Sequence, residues 1–381
     1  PSDIVKIAGH CALTNNNNGL EQVAYVNKTL TLRGGYTATN WIASDPLAHP
    51  TTLDAEGHGR VLYITGDISP RIENLRISGG DASGLGGGLS DADVGGGLYV
   101  ADATAIIKSN RVTQNSAETG SGIFLSSSDA RLINNIVADN QASGDGSGIF
   151  VEGSSPQLLH NTIARNGTGI HITNDGADNA AAILINTIIV GHDVGLSVTT
   201  GNAASLQGTL WGTGTWANGT DWTGGGTIDA GTPNIHGDPD FTCLGRTPDC
   251  AAGSATMDFH IGANSAARDA GVSTQVLDDI DGDARSDDDA DLGADELFFA
   301  LEVTKSAFPS RVKTGGQLSY TIHLTNTGDA DLNATVVDTL PAHILPGITP
   351  DGQPILPGGT LSWTPSATAP RDYWKQSFAV S

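Results

Sequence analysis

The chain has 381 residues, of which 50 are glycine, 38% are hydrophobic and only 16% are charged. This composition favours β structure with many turns and excludes a mainly helical protein. The 42 acidic residues outnumber the 18 Lys and Arg, and the resulting net charge of −24 excludes nucleic acid as a partner because it repels phosphate backbones. No apolar run approaches the roughly 18–20 residues that a membrane span needs.

A repeat of 25 or 26 residues begins by about residue 61. Ser121–Asn140 is followed twenty-six residues later by Ser147–Asn166, and nine of the twenty aligned positions are identical. Each repeat contains three short apolar segments, such as GIFL, ARLI and NIVA, that end in turn residues. Three strands per coil, with coils stacked about 4.8 Å apart, satisfy both the period and the turns. The sequence therefore predicts an all-β fold that begins with a right-handed parallel β-helix.

Asparagines recur at the repeat spacing. Such residues tolerate left-handed turns, and their amides can hydrogen-bond to the equivalent amide of the next coil. We therefore predict a structural ladder, and the alternative is a ligand site. The predicted ladder consists of Asn110, Asn135, Asn161 and Asn186, with a second row at Asn115, Asn140 and Asn166. We expect functional residues at outward positions where the two repeats differ. Examples are Asp139, which is replaced by Arg165 in the next repeat, and Ser126, which is replaced by Glu152.

Two stretches depart from the regular repeat. The glycine-rich insertion Gly79–Gly97 is interpreted as a surface loop or as the wall of a binding groove. Further on, Trp211, Trp216 and Trp222 lie within twelve residues. They predict a sugar-stacking platform, since an exposed indole packs against a pyranose ring, or aromatic filling at the end of the β-helix.

Cys243 and Cys250 enclose a short polar loop that could close as a local disulfide, which leaves Cys11 over. The alternative is three reduced thiols. A disulfide in a polar, acidic chain favours an extracellular location.

An acidic segment follows, with eight aspartates and one basic residue, Arg285, between Asp278 and Asp291. So many carboxylates repel each other unless they are neutralised, and Ca²⁺ prefers oxygen ligands. The segment thus predicts a calcium site, and the alternative is a solvated acidic turn held partly by Arg285. The candidate ligands are Asp279, Asp281, Asp283, Asp287, Asp289 and Asp291.

The period changes near residue 299. Apolar and polar residues alternate in segments such as QLSYTIHLTNTG, and Gly/Pro turns separate them, which predicts a β-sandwich. Residues 1–298 also carry almost all of the net charge. We therefore predict two domains, a β-helix at 1–298 and a sandwich at 299–381, the latter with a sheet edge open to another chain.

Several motifs resemble known families. The coils resemble those of the pectate-lyase-like superfamily. VKIAG at Val5–Gly9, TLTLRGGY at Thr29–Tyr36 and the acidic motifs between Asp279 and Glu296 resemble bacterial secreted proteins of the choice-of-anchor Q type. That resemblance implies that the acidic segment closes the helix. The segment from Val303 to Pro341 resembles the Ig-like conserved repeat of bacterial surface proteins (domain of unknown function eleven), which implies a spacer or adhesion module.

No hydrolase, metalloprotease or cysteine-protease motif is present, and no catalytic residue is predicted. The leading hypothesis is a non-catalytic structural or adhesive protein at the bacterial cell surface, which associates head-to-tail with itself or with other surface proteins. The alternatives are a polysaccharide lyase or hydrolase that acts in a β-helix groove, and a carbohydrate-binding module that uses the tryptophans.

Overall fold

The computed structural model describes residues 3–17, 19–242, 258–285, 289–328, 332–365 and 373–380. The described residues form two compact units, which meet in sequence between Glu296 and Leu297. Apart from the 3-10 turns Leu89–Asp91 and Gly214–Trp216, their regular structure consists of strands.

The first unit is a parallel β-helix with three sheets, which we name sheets 1, 2 and 3 in the order in which each coil visits them. Sheet 1 contains Asn15–Asn17, Leu20–Val26, Arg60–Thr65, Leu98–Ala101, Ile123–Ser126, Ile149–Glu152, Thr168–Thr173, Val194–Val198 and Thr220–Thr223. Sheet 2 contains Asp3–Ala8, Leu30–Tyr36, Arg71–Glu73, Ile106–Lys108, Arg131–Ile133, Gln157–Leu159 and Thr227–Asp229. Sheet 3 contains His10–Cys11, Thr52–Asp54, Arg76–Ser78, Arg111–Thr113, Ile136–Ala138, Thr162–Ala164 and Asn234–Gly237.

Sheets 2 and 3 merge in the later coils, where the long strands Ala181–Val190 and Ala203–Gly212 run through both. Two small pairs complete the unit. They are the parallel pair Ser116–Ala117 with Gln141–Ala142, and the antiparallel pair Phe241–Thr242 with His260–Ile261.

Equivalent residues of successive coils lie directly above one another. In sheet 1, Leu98 pairs with Leu62 on one side and with Ile123 on the other. All three side chains are fully buried in a core that continues through the coils. Successive strand residues point to opposite faces of a sheet. The register therefore stacks Leu62, Leu98 and Ile123 inside the β-helix and stacks the residues that follow them, such as Tyr99 and Phe124, on its outer face.

The corner between sheets 2 and 3 is closed by a ladder of asparagine amides. Asn110 Nδ2 donates to Asn135 Oδ1 at 3.1 Å, and Asn135 Nδ2 donates to Asn161 Oδ1 at 3.0 Å. Each amide also bonds to the main chain, as in the bond from Asn135 Nδ2 to Ile107 O at 2.8 Å. The ladder thus satisfies polar groups that the corner removes from water.

Asn186 does not belong to this ladder, contrary to the sequence prediction. Leu159 pairs with Ile185, so that His160 is aligned with Asn186 and Asn161 with Thr187. The prediction missed by one residue because this coil has 26 residues between equivalent positions. Asn186 instead belongs to an outward row with Asn134 and His160, in which all three residues have positive φ angles.

A second ladder closes the corner that follows sheet 3. Asn140 Nδ2 donates to Asn166 Oδ1 at 3.2 Å, and the next position in the row is His192. The imidazole replaces an asparagine amide, since His192 Nδ1 accepts a hydrogen bond from Asn166 N at 3.1 Å. Burial lowers the pKa of His192 to about 4, although its contacts with Asn166 and Ile163 oppose this change.

The insertion Gly79–Gly97 packs against the outer face of sheet 1. Arg60 is buried over the Tyr99 ring at 4.9 Å and donates to Val94 O at 2.8 Å, while Tyr99 Oη donates to Gly87 O at 2.9 Å. The insertion therefore covers part of an outer aromatic column. That column consists of Tyr25, Tyr63, Tyr99, Phe124, Phe150 and His171.

The second unit has antiparallel sheets around a separate small core, as expected for a β-sandwich. Its largest sheet has three strands, and two pairs of shorter strands accompany it. The strands are Leu301–Phe308, Leu318–Asn326 and Tyr373–Val380, then Val336–Thr339 with Thr360–Trp363, and Gly347–Ile348 with Pro354–Ile355.

We expect Asn135→Ala to lower the free energy of unfolding of the β-helix by about 3 kcal/mol, because it leaves buried donors and acceptors of two neighbouring coils without partners. Chemical denaturation measures the loss. Asn179→Ala, which changes an exposed asparagine, is the matched control and should be nearly neutral. Equal effects of the two substitutions would contradict a stabilising ladder.

His192→Asn should make the protein less sensitive to acid. With a pKa of about 4 in the folded state and about 6.5 in the unfolded state, His192 takes up a proton only on unfolding between these pH values. Its contribution to stability is therefore lost as the pH falls from about 6.5 to 4. Over this range, the unfolding free energy falls with pH for both proteins. The slope for the variant should be smaller than that for the native protein by about 1.4 kcal/mol per pH unit. Parallel curves of melting temperature against pH for the two proteins would contradict this assignment.

Candidate functional site

Residues 258–285 and 289–296, here called the strap, run across the outer side of the corner between sheets 2 and 3. It contacts successive coils at the outward row described above. Val272 N donates to Asn186 Oδ1 at 2.8 Å, and Thr274 Oγ1 lies 2.9 Å from His160 Nε2. Further along, Asn134 Nδ2 donates to the carbonyl oxygen of Asp278 at 2.6 Å. The row of left-handed residues therefore serves as the docking line for the strap.

Asp279 shapes the acidic turn of the strap. Its Oδ1 accepts main-chain hydrogen bonds from Asp281, Gly282 and Asp283 at 2.8–2.9 Å, and its Oδ2 accepts one from Glu296 N at 3.1 Å. Burial, together with the charge of Asp281, raises the pKa of Asp279 to about 6. This carboxylate organises the local main chain.

Arg285 joins the two halves of the strap to the β-helix. Its Nη1 donates to Glu296 Oε2 at 2.9 Å, and its Nη2 donates to Asn134 Oδ1 at 3.2 Å. Nη2 also donates to the carbonyl oxygens of Gly293 and Ala294 at 2.9 Å. The side chain is almost completely buried, and its charge is neutralised within the strap. These contacts favour the sequence interpretation of a turn held by Arg285.

His260 forms a second buried group within the strap. Its Nε2 lies 2.8 Å from Asp281 Oδ2, and its Nδ1 lies 3.1 Å from Asp258 Oδ1. Burial opposes protonation, but the carboxylates of Asp295 and Asp281 outweigh it and raise the pKa of His260 well above its usual value. The neighbouring acidic groups thus favour the protonated form of this imidazole. The sequence does not indicate His260 as a site residue, because its partners Asp281 and Asp295 lie more than twenty residues further along the chain.

The predicted calcium ligands have separate roles in the described structure. Asp279 binds main-chain N–H groups, Asp281 contacts His260, and Asp291 Oδ1 accepts a hydrogen bond from Asp269 N at 2.6 Å. Asp283 is half-buried and Asp289 is exposed, while Asp287 lies outside the described residues. Among the residues described, no group of three or more His, Cys, Asp or Glu has a geometry that could hold a metal ion.

The three tryptophans do not form a platform, which corrects the sugar-stacking prediction. Trp211 is fully buried in the core, where its Nε1 donates to Asn234 Oδ1 at 2.5 Å. Trp222 tilts against it at 5.3 Å, and Trp216 instead packs edge-on against Phe241 at 4.9 Å. Trp211 occupies an inward strand position and fills a later coil, which agrees with the alternative interpretation for this residue, whereas Trp222 beside it is 38% exposed.

Cys243 and Cys250 lie outside the described residues, and their disulfide stays a prediction. Cys11 is a free, half-buried cysteine.

The strap and sheet 2 enclose a groove of about 670 Å³, here called the strap groove. Its floor contains the outward aliphatic side chains of Ile133, Leu159 and Ile185. The segment Ser273–Asp278 forms one wall. Three cationic side chains line the groove, namely Arg71, Lys108 and Arg131. A smaller cavity of about 340 Å³ continues it, since Arg71, Lys108 and Asp278 line both.

Outward charges near the groove are joined into ion pairs. Glu73 lies between Arg33 and Arg71, at 2.7 Å and 2.6 Å, and Lys108 Nζ lies 2.7 Å from Asp278. The sequence shows each of these residues but not their pairing, since Lys108 and Asp278 are 170 residues apart.

Comparison with protein families identifies the same architecture. Residues 56–188 match the family model described as a right handed beta helix region. No curated protein matches the chain. The fold and this match define the class of the protein: it contains a right-handed parallel β-helix, followed by an antiparallel β unit. None of its described helical segments has the length and apolar character of a membrane span.

We expect Arg285→Ala to lower the free energy of unfolding by about 3–5 kcal/mol, because it leaves Glu296 buried without its cation. Arg268→Ala, on an exposed part of the same strap, is the control and should cost less than about 1 kcal/mol. Denaturant titration of both variants decides between a structural and a peripheral role. Similar small losses would show that the strap does not depend on Arg285.

Proposed function

We propose that the protein is a non-catalytic structural or adhesive protein of the bacterial cell surface. The proposal rests on one observation: outward-facing charged side chains form ion pairs that connect neighbouring coils and connect the strap to the β-helix. Arg165 Nη2 lies 2.5 Å from Asp139 Oδ2 of the preceding coil, and Lys108 holds the strap through Asp278. These groups stabilise a rigid scaffold, and such a scaffold suits a spacer or binding surface better than acid–base catalysis.

An exposed edge in the second unit supports association with other chains. The strand Leu301–Phe308 pairs with a single described strand, Leu318–Asn326, and all eight of its residues are exposed. An edge of this kind offers unpaired main-chain groups to another strand. We propose that it contributes to head-to-tail association between copies, or to contact with other surface proteins.

Electron microscopy and sedimentation velocity of the full chain test the association. We expect ordered fibres or concentration-dependent oligomers, which are lost when Leu301 and Val303 are both replaced by Lys, because a charged edge opposes strand pairing. Leu345→Lys changes an exposed residue outside the strands and is the control. Monomers at every concentration, or equal losses in the control, would contradict the proposal.

One observation favours the alternative of a polysaccharide lyase or hydrolase. Glu152 faces outward on sheet 1 but is only 5% exposed, and its carboxylate lies 3.2 Å from Ser126 Oγ. Burial raises the pKa of Glu152, whereas main-chain N–H groups of Asp178 and Ala177 lower the pKa of nearby Asp175. Carboxyl groups with opposite shifts can act as an acid and a base.

An assay of uronate and neutral polysaccharides separates the two functions. The structural proposal expects no cleavage by the native protein or by Glu152→Gln. Cleavage that the substitution abolishes, without a change in melting temperature, would replace it with the enzymatic function.

Calcium binding by the acidic segment is also a proposal. If a calcium ion stabilises residues 278–296, chelation should lower the melting temperature by several degrees, and added Ca²⁺ should restore it, because a ligand that binds the folded state stabilises it. Added Mg²⁺ is the control for ionic strength. An unchanged melting temperature would remove calcium from the proposal.

A further inference from the structure

The two ends of the β-helix leave core positions uncovered. Val5 in the first coil pairs with the buried core residue Leu32, yet its side chain is 44% exposed. In the last coil, Trp222 occupies an inward position and is 38% exposed. Within the described chain, the end strands of sheet 2 pair on one side only, namely Asp3–Ala8 with Leu30–Tyr36 and Thr227–Asp229 with Ala203–Gly212. Each end therefore presents an open strand edge beside apolar side chains.

The two ends lie on the same columns of the β-helix. On the outer face of sheet 2, one column begins at Ile4 and ends at Asp229, with one residue from every coil between them. On the outer face of sheet 3, another column begins at His10 and ends at Ile235. His10 follows Ile4 by six residues, and Ile235 follows Asp229 by six residues. A first coil can therefore lie on a last coil with both columns aligned and no residue inserted at the corner.

The main-chain groups at the two ends are oriented for such pairing. Alternate residues of a strand direct their N–H and C=O groups to opposite neighbours. Thr227 N donates to Asn202 O of the preceding coil at 2.9 Å, so the main chain of Ile228 faces the open end. Residues in the column of Ile4 face the preceding coil instead, as Ile106 N does. The Ile4 N–H therefore faces the open end of the first coil.

The charges at the two ends are complementary. Residues 217–242 contain four Asp and no Lys or Arg, and Asp229 is exposed. At the other end, Lys6 is exposed and makes no ion pair within the described residues. Its Nζ donates to Trp41 O, which leaves further N–H donors on the ammonium group. Because Lys6 and Ile4 share one face, the long Lys6 side chain can reach a residue that is aligned with Ile4.

We propose that copies of this chain stack end to end, with the first coil of one copy on the last coil of another. Ile4 aligns with Asp229, so that sheets 2 and 3 continue from copy to copy. The Ile4 N–H donates to Ile228 O, and the Lys6 ammonium group pairs with the Asp229 carboxylate. This contact is separate from the edge at Leu301–Phe308. It names a surface and a partner for the proposed association and rests on that function.

A second copy in the same orientation fits these observations better than other occupants. Contact between two last coils would bring their aspartates together, and contact between any two like ends would reverse the strand direction and lose the match of columns. An unrelated peptide could pair with one edge but would not match both columns. Head-to-tail stacking keeps the strands parallel and leaves a free end on each copy, so it can propagate as a filament.

Sedimentation velocity of the full chain tests the ion pair. Lys6→Glu and Asp229→Lys should each raise the concentration needed for association by about tenfold, because each places like charges at the contact. An equimolar mixture of the two variants should associate again, since each variant then meets a partner of opposite charge. Arg131→Glu makes the same charge change as Lys6→Glu on an exposed residue of a middle coil, and this control should associate as the native protein does.

Ile4→Pro tests the strand pairing. Proline removes the N–H that faces the open end, and should weaken association by about tenfold while the melting temperature stays unchanged. Melting curves also confirm that the Lys6 and Asp229 variants fold. Association that none of the three substitutions weakens, or a mixture of folded charge variants that does not recover, would overturn the proposal.

The variant with Lys at both Leu301 and Val303, measured in parallel, separates the two contacts. Loss of association in that variant alone would contradict end-to-end stacking and leave the proposed edge contact standing. Loss in the Lys6, Asp229 and Ile4 variants alone would support stacking and contradict the edge contact. Monomers of the native chain at every concentration would contradict both.

Discussion

The structure depends on how the chain turns between sheets 2 and 3 without leaving buried polar groups unpaired. Asn135 provides hydrogen-bond partners on both sides of its coil, since its amide bonds to Asn110 and Asn161 of the neighbouring coils and to the main chain. Because the ladder holds the coils in one register, apolar residues such as Leu98 and Ile123 stack inside. The same register repeats the outward positions, and so creates the rows on which other segments pack.

The outer side of that corner explains the acidic segment. Asn134, His160 and Asn186 have left-handed conformations and present polar atoms outward, where the strap meets them. Inside the strap, Asp279 binds main-chain N–H groups and Arg285 neutralises Glu296. Asp278, Asp279 and Glu296 therefore help to fold the strap and to fasten it to the β-helix. The cost of bringing these carboxylates together is offset by buried cations and main-chain donors.

The strap also shapes the outer surface of the first unit. By lying beside sheet 2, it forms one wall of a groove whose floor is aliphatic. The other unit has an exposed strand edge at Leu301–Phe308. The proposed association would use the edge at Leu301–Phe308. The buried carboxyl of Glu152 is the feature that a catalytic function would use.

The sequence by itself determined the repeat, the three strands per coil, the Asn110–Asn135–Asn161 ladder and the change of strand pattern near residue 299. These features depend on local turn residues and on a period that is visible in the sequence. Tertiary structure decided the rest. Whether Asn186 entered the ladder depended on one residue of coil length, and whether Trp211 was exposed depended on which strand face it occupied. The pairing of Lys108 with Asp278, and with it the strap groove, depended on a segment returning across the coils from 170 residues away. Such contacts follow from the path of the folded chain, and no local pattern encodes that path.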